Sequence, residues 1–338
     1  MNEDYNENSH PQMVAVNSTI KYIHEAINVL DIKNSSPPYI ISDFGSALGR
    51  NSIYVIKTII TCLKETNKIK DENEILVIHN DLPTNDWQTL FHLINSDQSY
   101  YGIANGRSFY ESCLPSNSLL IGYSSTSLHW LSHKPCNISN HCASLFAQGD
   151  ELKAFQEQAR LDFNHFLEYR SNELISGGVL ILLIPCVDDH GSNGFDILRE
   201  ILYKCAQLCL TAQELLEYTF PIHARSYAEC VDIQLFDRFS FELIKSEFNS
   251  VQMPFIQQWQ NKEITQDEFI KLIVSYVRSW SESILKQTLM TSNRPREEIE
   301  QIQSQFWSLY SDELRKEFNQ LLDMHMNFTY LILKKKND

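Results

Sequence analysis

Short apolar runs alternate with amphipathic stretches through the first half of this chain, and that alternation leaves few folds open. Tyr39 to Phe44 is an apolar run with β-branched residues that leads into a glycine-containing turn. Ile53 to Leu63 then sets Ile53, Ile56, Ile60 and Leu63 at helical spacing. Glu74 to His79 reads as a second strand and Leu119 to Tyr123 as another. A long helix follows from about Glu151 to Ile175, with Phe155, Ala159, Phe163, Phe166, Leu167 and Leu174 on one face. Gly177-Gly178 is expected to stop that helix, and Val179 to Ile184 is the strongest strand signal in the sequence. Strand and helix in this rhythm predict a parallel sheet with helices on both faces.

After about residue 211 the pattern changes. Gln213–Glu217, Gln266–Leu289, Arg296–Leu309 and Asp312–Met324 are amphipathic, and two strand candidates, Phe239–Ile244 and Asn327–Leu333, interrupt them. Late strands that complete an earlier sheet, with helical insertions between, predict a Rossmann-like α/β core under a helical cap. The 338 residues, 43% hydrophobic, suffice for a full core. A net charge of −15 excludes a general nucleic-acid binder, and the basic run Lys334 to Lys336 reads as a solvated tail. No apolar run reaches the ~18–20 residues that span a bilayer, and the polar, acidic opening MNEDYNENSH is no signal peptide. Eight cysteines in that setting predict reduced thiols and a cytoplasmic protein. Cys136, His141 and Cys142 cluster in sequence but lack a CxxC pair, so no metal site is expected there.

The first strand enters Ser42-Asp43-Phe44-Gly45-Ser46-Ala47-Leu48-Gly49-Arg50-Asn51. Glycines after a strand let the backbone turn tightly against a ligand, and the helix that follows favours an anion or carboxylate at its start. The spacing is D-x-G-x-x-x-G, which a plain tight turn would also satisfy. Asp81 follows the second strand, where a carboxylate can accept both hydroxyls of a ribose or simply cap a helix before Pro83. Taken together, Asp43, the glycines and Asp81 favour a nucleoside cofactor.

Longer blocks carry a more specific signal. Asn17-Ser18, "SDFGSALGRNS", "HNDLPTNDWQTLF", "GRSFYESCLPSNSLLIGYSSTSLHWLSHKP" and "FQEQARLDFNHFLEYRSNELISGGVLIL" follow one another over roughly residues 15–185. In that order they resemble the SABATH methyltransferases, the plant salicylate, jasmonate and indole-acetate carboxyl methyltransferases and their caffeine-pathway relatives. The resemblance implies a mainly parallel seven-stranded sheet. It also implies S-adenosyl-L-methionine held by Ser18, Asp43, Gly45, Gly49, Asn51, Asp81, Leu82, Ser108, Phe109 and Ser124, with Phe109 on the adenine. Spacing alone would have made Phe109 and Trp130 core residues. The resemblance instead puts Lys21, Thr126, His129 and Trp130 at the substrate, a small aromatic or apolar acid. The implied organisation is an N-terminal segment (1–35) closing over the site, a core (36–210), a cap (211–326, with one core strand at about 239–247) and a final strand and tail (327–338). Family members are commonly homodimers.

Three positions depart from the family. Lys21 stands where a glutamine usually grips the substrate carboxylate, and Thr126 where a tyrosine usually lines the pocket. The D-x-F-N stretch that holds magnesium in some members reads Leu216-Glu217-Tyr218-Thr219, so no metal is expected. The reaction implied is ester formation on a carboxylate, with no general acid or base required because the acid is ionised at neutral pH. N-methylation of a small heterocycle and a non-catalytic cofactor-binding homologue are the alternatives. Methyl transfer to a carboxylate erases charge, so a lysine paired with the attacking group would slow the step. Lys21 is therefore expected either to point away or to grip a second anionic group.

Overall fold

The computed structural model describes residues 10–32, 37–70, 75–96 and 99–337; the opening residues 1–9, Glu74 and the expected boundary at 35/36 lie outside them. Helices α1 (His10–Ser18) and α2 (Ile20–Val29) precede β1 (Tyr39–Phe44), α3 (Arg50–Glu65), β2 (Ile75–Asp81), α4 (Trp87–Asn95), β3 (Tyr101–Gly106), β4 (Leu119–Ser125), α5 (Gly149–Glu173), β5 (Leu174–Val187) and α6 (Asp196–Cys209). Short pieces α7 (Ala212–Glu217), β6 (Arg225–Ser226), α8 (Tyr227–Cys230) and α9 (Ile233–Arg238) lead to β7 (Phe241–Gln252). Then α10 (Pro254–Gln260), α11 (Gln266–Thr291), α12 (Arg296–Lys316) and α13 (Phe318–Leu321) lead to β8 (His325–Lys335).

The strands form one sheet in the order β3-β2-β1-β4-β5-β8-β7, with the two-residue β6 pairing beside β5. From β3 to β5 every pairing is parallel, and β8 and β7 then close the edge antiparallel. The Rossmann-like, mainly parallel sheet expected from the strand rhythm is what forms. Strand β5, between β4 and β8, alternates strictly over Val179 to Ile184. Val179, Ile181 and Leu183 face a core shared with α1–α3, α6 and the cap helices, while Leu180, Leu182 and Ile184 face α5 and α9. Burial on both faces is why this run is apolar at every position.

Some elements differ from the sequence reading. The long helix ends at Glu173, and β5 begins at once with Leu174. Gly177-Gly178 therefore does not stop the helix. The pair lies inside the strand, where the register jumps between Leu119↔Leu174 and Ile121↔Val179, and a bulge of this kind is a usual home for strand glycine. β3 has no apolar run because it is an edge strand; Tyr101 and Ile103 are 63% and 46% exposed. The cap helices carry their own start signals: Thr265 and Glu268 form a capping box at α11. The stretch expected at Asp312–Met324 is split, since α12 runs on to Lys316 and α13 follows as a single turn.

Candidate active site

The strand order reverses between β1 and β4, and in open α/β sheets the crevice outside the carboxyl ends at such a point binds ligands. Gly45 (φ +97) turns the chain out of β1, and the Gly45 and Ser46 amides both donate to the Asn80 carbonyl, at 2.9 and 3.0 Å. A Cβ at Gly45 would stand 2.1 Å from the Ser127 hydroxyl oxygen, so only glycine lets β1 and the β4 loop approach this closely. Gly49 (φ +103) caps α3. The Asp81 carboxylate accepts the Ala47 and Leu82 amides, each at 2.8 Å. It is not a helix cap: α4 is capped by Asp86, which accepts the Thr89 amide.

Two cavities open here. The larger, about 610 Å³, is lined on one side by Asp81, Leu82, Ser108 and Phe109 and on another by Thr126, His129 and Trp130. The smaller, about 30 Å³, lies among Asp43, Gly49, Asn51 and Ser52. Gln12, Gly45 and Thr126 line both, so the cavities adjoin at these residues. Thr126 adopts φ +55, an outlier for a β-branched residue, and its amide donates to the Leu183 carbonyl at 2.9 Å. Strain of this kind costs of order 1–3 kcal/mol and clusters at functional sites.

Charge at the β1 and β2 ends of the two cavities is unbalanced. Burial pushes the Asp43 carboxyl up to about 7; the Ser52 hydroxyl pulls it back and the Asp81 charge adds to the rise. Asp81 is likewise raised by burial, against the pull of its two amides. The Asn51 side-chain oxygen is buried without a partner. Two desolvated carboxylates and an idle acceptor suit a ligand bearing hydroxyls and a positive charge, which S-adenosylmethionine has at its ribose, amine and sulfonium. Asp43's folded value lies above the ordinary 3.8, so the ionised form is penalised on folding. That penalty is absent below the unfolded value, grows as pH rises and is complete above about 7. Asp43→Asn should leave stability unchanged near pH 4 and raise it by roughly 2–4 kcal/mol at about pH 8 in ligand-free urea melts.

The Phe109 wall rests on a buried ion pair. Arg170 and Glu173, both essentially unexposed, form a bidentate pair at 2.8 Å through each nitrogen. Arg170 also donates to the Phe109 and Glu111 carbonyls (2.7 and 2.9 Å), while Glu173 accepts the Cys113 and Leu114 amides (2.6 and 3.0 Å). Across the cavity, Arg225 donates to the Leu128 and Ala159 carbonyls and the Tyr110 hydroxyl donates to Leu128 and Trp130, fixing the loop after β4. Burial drops His129 to about 3, helped by the Arg199 and Arg225 charges. It is neutral at any working pH, and its Nδ1 is buried without a partner.

Of the residues expected from sequence, Asp43, Gly49 and Asn51 line the small cavity. Gly45, Asp81, Leu82, Ser108, Phe109, Thr126, His129 and Trp130 line the large one. Three others do not reach either. The Ser18 hydroxyl donates to the Ala15 carbonyl and pairs with the Tyr330 hydroxyl, both at 2.6 Å, tying α1 to β8. The Ser124 hydroxyl donates to the Phe44 carbonyl at 2.8 Å, joining β4 to β1. Lys21 is half exposed and pairs with Glu247 at 3.0 Å, away from the cavity. Sequence reading missed Gln12 on α1, Asn193 and Phe195 before α6, Arg199 on α6, and Tyr276 and Trp280 on α11, all of which line the large cavity. Most of these lie where the family blocks fade, and a lone arginine within a helical apolar pattern gives no signal. Glu217 of the altered magnesium stretch is paired with Lys134 at 3.2 Å. His141 is stacked between Phe146 and Tyr203, with ring centroids at 4.0 and 4.6 Å.

A mainly parallel sheet whose switch point opens on an acidic cleft and an adjoining wide cavity is the frame of the Rossmann-like methyltransferases. Residues 1–336 match the family described as SAM dependent carboxyl methyltransferase, and the chain belongs to that family, with S-adenosylmethionine as its cofactor. Farnesoic acid carboxyl-O-methyltransferase of Arabidopsis thaliana is 30% identical over 269 residues, 70% of this chain and 76% of that protein. A benzoic acid/salicylic acid carboxyl methyltransferase of Petunia hybrida is 32% identical over 195 residues, 52% of this chain and 54% of that one. The solved structure of loganic acid methyltransferase with SAH has the same fold, with a TM-score of 0.81 at 22% identity over 99% of this chain and 96% of that one.

Proposed function

We propose that this enzyme forms the methyl ester of a small organic acid seated in the large cavity. The observation that supports this most is that the acidic cleft and the aromatic-walled cavity adjoin at Gln12, Gly45 and Thr126. When bound, S-adenosylmethionine supplies a methyl group activated by its sulfonium charge. Asp81, with two of its acceptor sites unused, suits the ribose, and Phe109 with Ser108 suits the adenine. Asp43 suits the cationic end of the cofactor, and the glycine turns admit its backbone approach. Trp130 can donate its indole N–H, and neutral His129 one ring N–H, to orient the acid's carboxylate. His129 cannot serve as a base of useful strength, and an ionised carboxylate needs none. Catalysis is then positioning and water exclusion by Phe195, Tyr276 and Trp280, worth up to ~7–11 kcal/mol.

α1 brings Gln12 to both cavities, which supports an N-terminal segment that closes over the site. Eight free cysteines, most of them buried, support a cytoplasmic setting, and no helix among the described residues is long and apolar enough to cross a membrane. A homodimer rests on the family resemblance.

Screening organic acids with labelled S-adenosylmethionine tests the reading. A base-labile methyl ester is expected; a base-stable product would assign the heterocycle reaction instead. Thr126→Tyr fills the junction of the cavities and should shift preference towards smaller acids. An unchanged preference would remove Thr126 from the pocket.

A further inference from the structure

Among the described residues three arginines are nine-tenths or more buried, and they are not treated alike. Arg170 is matched by Glu173 and two carbonyls, and Arg225 by two carbonyls. Arg199, only 6% exposed, has buried Nε and Nη1 atoms with no hydrogen-bond partner, and no carboxylate lies within ion-pair distance among the described residues. It lines the large cavity and lies over the Phe195 ring, 4.7 Å from its centroid. The titratable groups around it are neutral. Burial holds His129 and His141 far below their ordinary values, at about 3 and about 4, and raises Tyr276, Tyr310 and Cys142. Among the described residues Asp196 alone offers opposite charge, from a distance, and its Oδ1 accepts the Asn193 amide at 3.1 Å.

A guanidinium cannot shed its proton to escape burial, so an unmatched one in a cavity wall is costly unless an anion arrives with the ligand. We propose that Arg199 binds a second anionic group of the substrate, which makes the preferred acid a dianion with an apolar body. This rests on the large cavity being the acid pocket. The reacting carboxylate is the wrong partner, because pairing it with a cation stabilises the ground state more than the charge-erasing transition state. Placement agrees. Arg199 stands near the start of α6, which packs on α12 of the cap, whereas the cofactor-side residues stand at the ends of β1, β2 and β4. Lys21, the other cation that could meet a second anion, is held outside by Glu247. The aromatic walls of Trp130, Phe195 and Trp280 account for the apolar body.

The test is binding to the protein saturated with S-adenosylhomocysteine, read by calorimetry or by fluorescence of Trp130 and Trp280. The probes are matched pairs: benzoate against phthalate, isophthalate and terephthalate, and butanoate to hexanoate against succinate to adipate. At least one dianion should bind about tenfold or more tightly than its monoanion. Arg199→Met and Arg199→Gln should reduce that preference to about twofold or less, Arg199→Lys should keep part of it, and S-adenosylhomocysteine affinity should not change in any of them. Monoanions that bind as tightly as every dianion, or a preference that survives Arg199→Met, would overturn the proposal. Should the neutral variants not fold, the wild-type ratio and Arg199→Lys decide. Arg199-dependent dianion binding without ester formation would sink the methyl-transfer reading and leave this one standing. Esters formed from monoanions without preference would do the reverse.

Discussion

Arg170→Met is expected to lower stability by about 3–5 kcal/mol and to weaken S-adenosylhomocysteine binding by about tenfold. The first effect follows from burial. Glu173 would keep two amide donors, from Cys113 and Leu114, but lose its counter-charge in a site only 1% exposed. The second follows from position, because the Phe109 carbonyl loses its 2.7 Å donor and the loop that carries the Phe109 ring loosens. The two effects separate in a double variant. Arg170→Met with Glu173→Leu removes both charges but also strands the Cys113 and Leu114 amides, so only part of the stability should return. The binding loss should persist, because the Phe109 carbonyl is still unpartnered. Urea melts and calorimetry on both proteins check this. Full recovery of binding in the double variant would show that the ion pair does nothing for the Phe109 wall.

How far the sequence could be read depends on where each residue gets its job. β5 and the D-x-G-x-x-x-G turn were legible because their signals are local. A strand buried on both faces must be apolar throughout, and a chain that leaves a strand at φ +97 must use glycine. Phe109 and Trp130 became candidate site residues only through the family resemblance, since an aromatic ring in a cavity wall and one in a core look alike in sequence. Ser18, Ser124 and Lys21, assigned by the same resemblance, line neither cavity. Their hydroxyls and ammonium are used by Tyr330, Phe44 and Glu247, which are far away in the chain or on a strand whose pairing the sequence does not reveal. Arg199 was invisible for the opposite reason: what marks it is the absence of a partner, which only three-dimensional packing can show.

Asp81→Ala should weaken S-adenosylhomocysteine binding by about 2–4 kcal/mol, roughly thirty- to a thousandfold. A carboxylate has about four acceptor sites, and two are already used by the Ala47 and Leu82 amides. The remaining two match two vicinal hydroxyls, which an alanine would leave buried and unpaired. Part of the loss is indirect. Leu82 is 52% exposed, so water can replace the acceptor of its amide, but Ala47 is 7% exposed and its amide would be stranded. That term also appears in the ligand-free protein, as about 1–3 kcal/mol of lost stability. Asp81→Asn tells the contributions apart. Its single side-chain oxygen can still take one amide, so stability should recover more than affinity does. Because the ribose contact is the same before and during methyl transfer, both variants should raise the KM for S-adenosylmethionine and leave kcat nearly unchanged. If Asp81→Ala binds S-adenosylhomocysteine as tightly as the wild type, the carboxylate serves the glycine turn alone, and the ribose must lie elsewhere in the cleft.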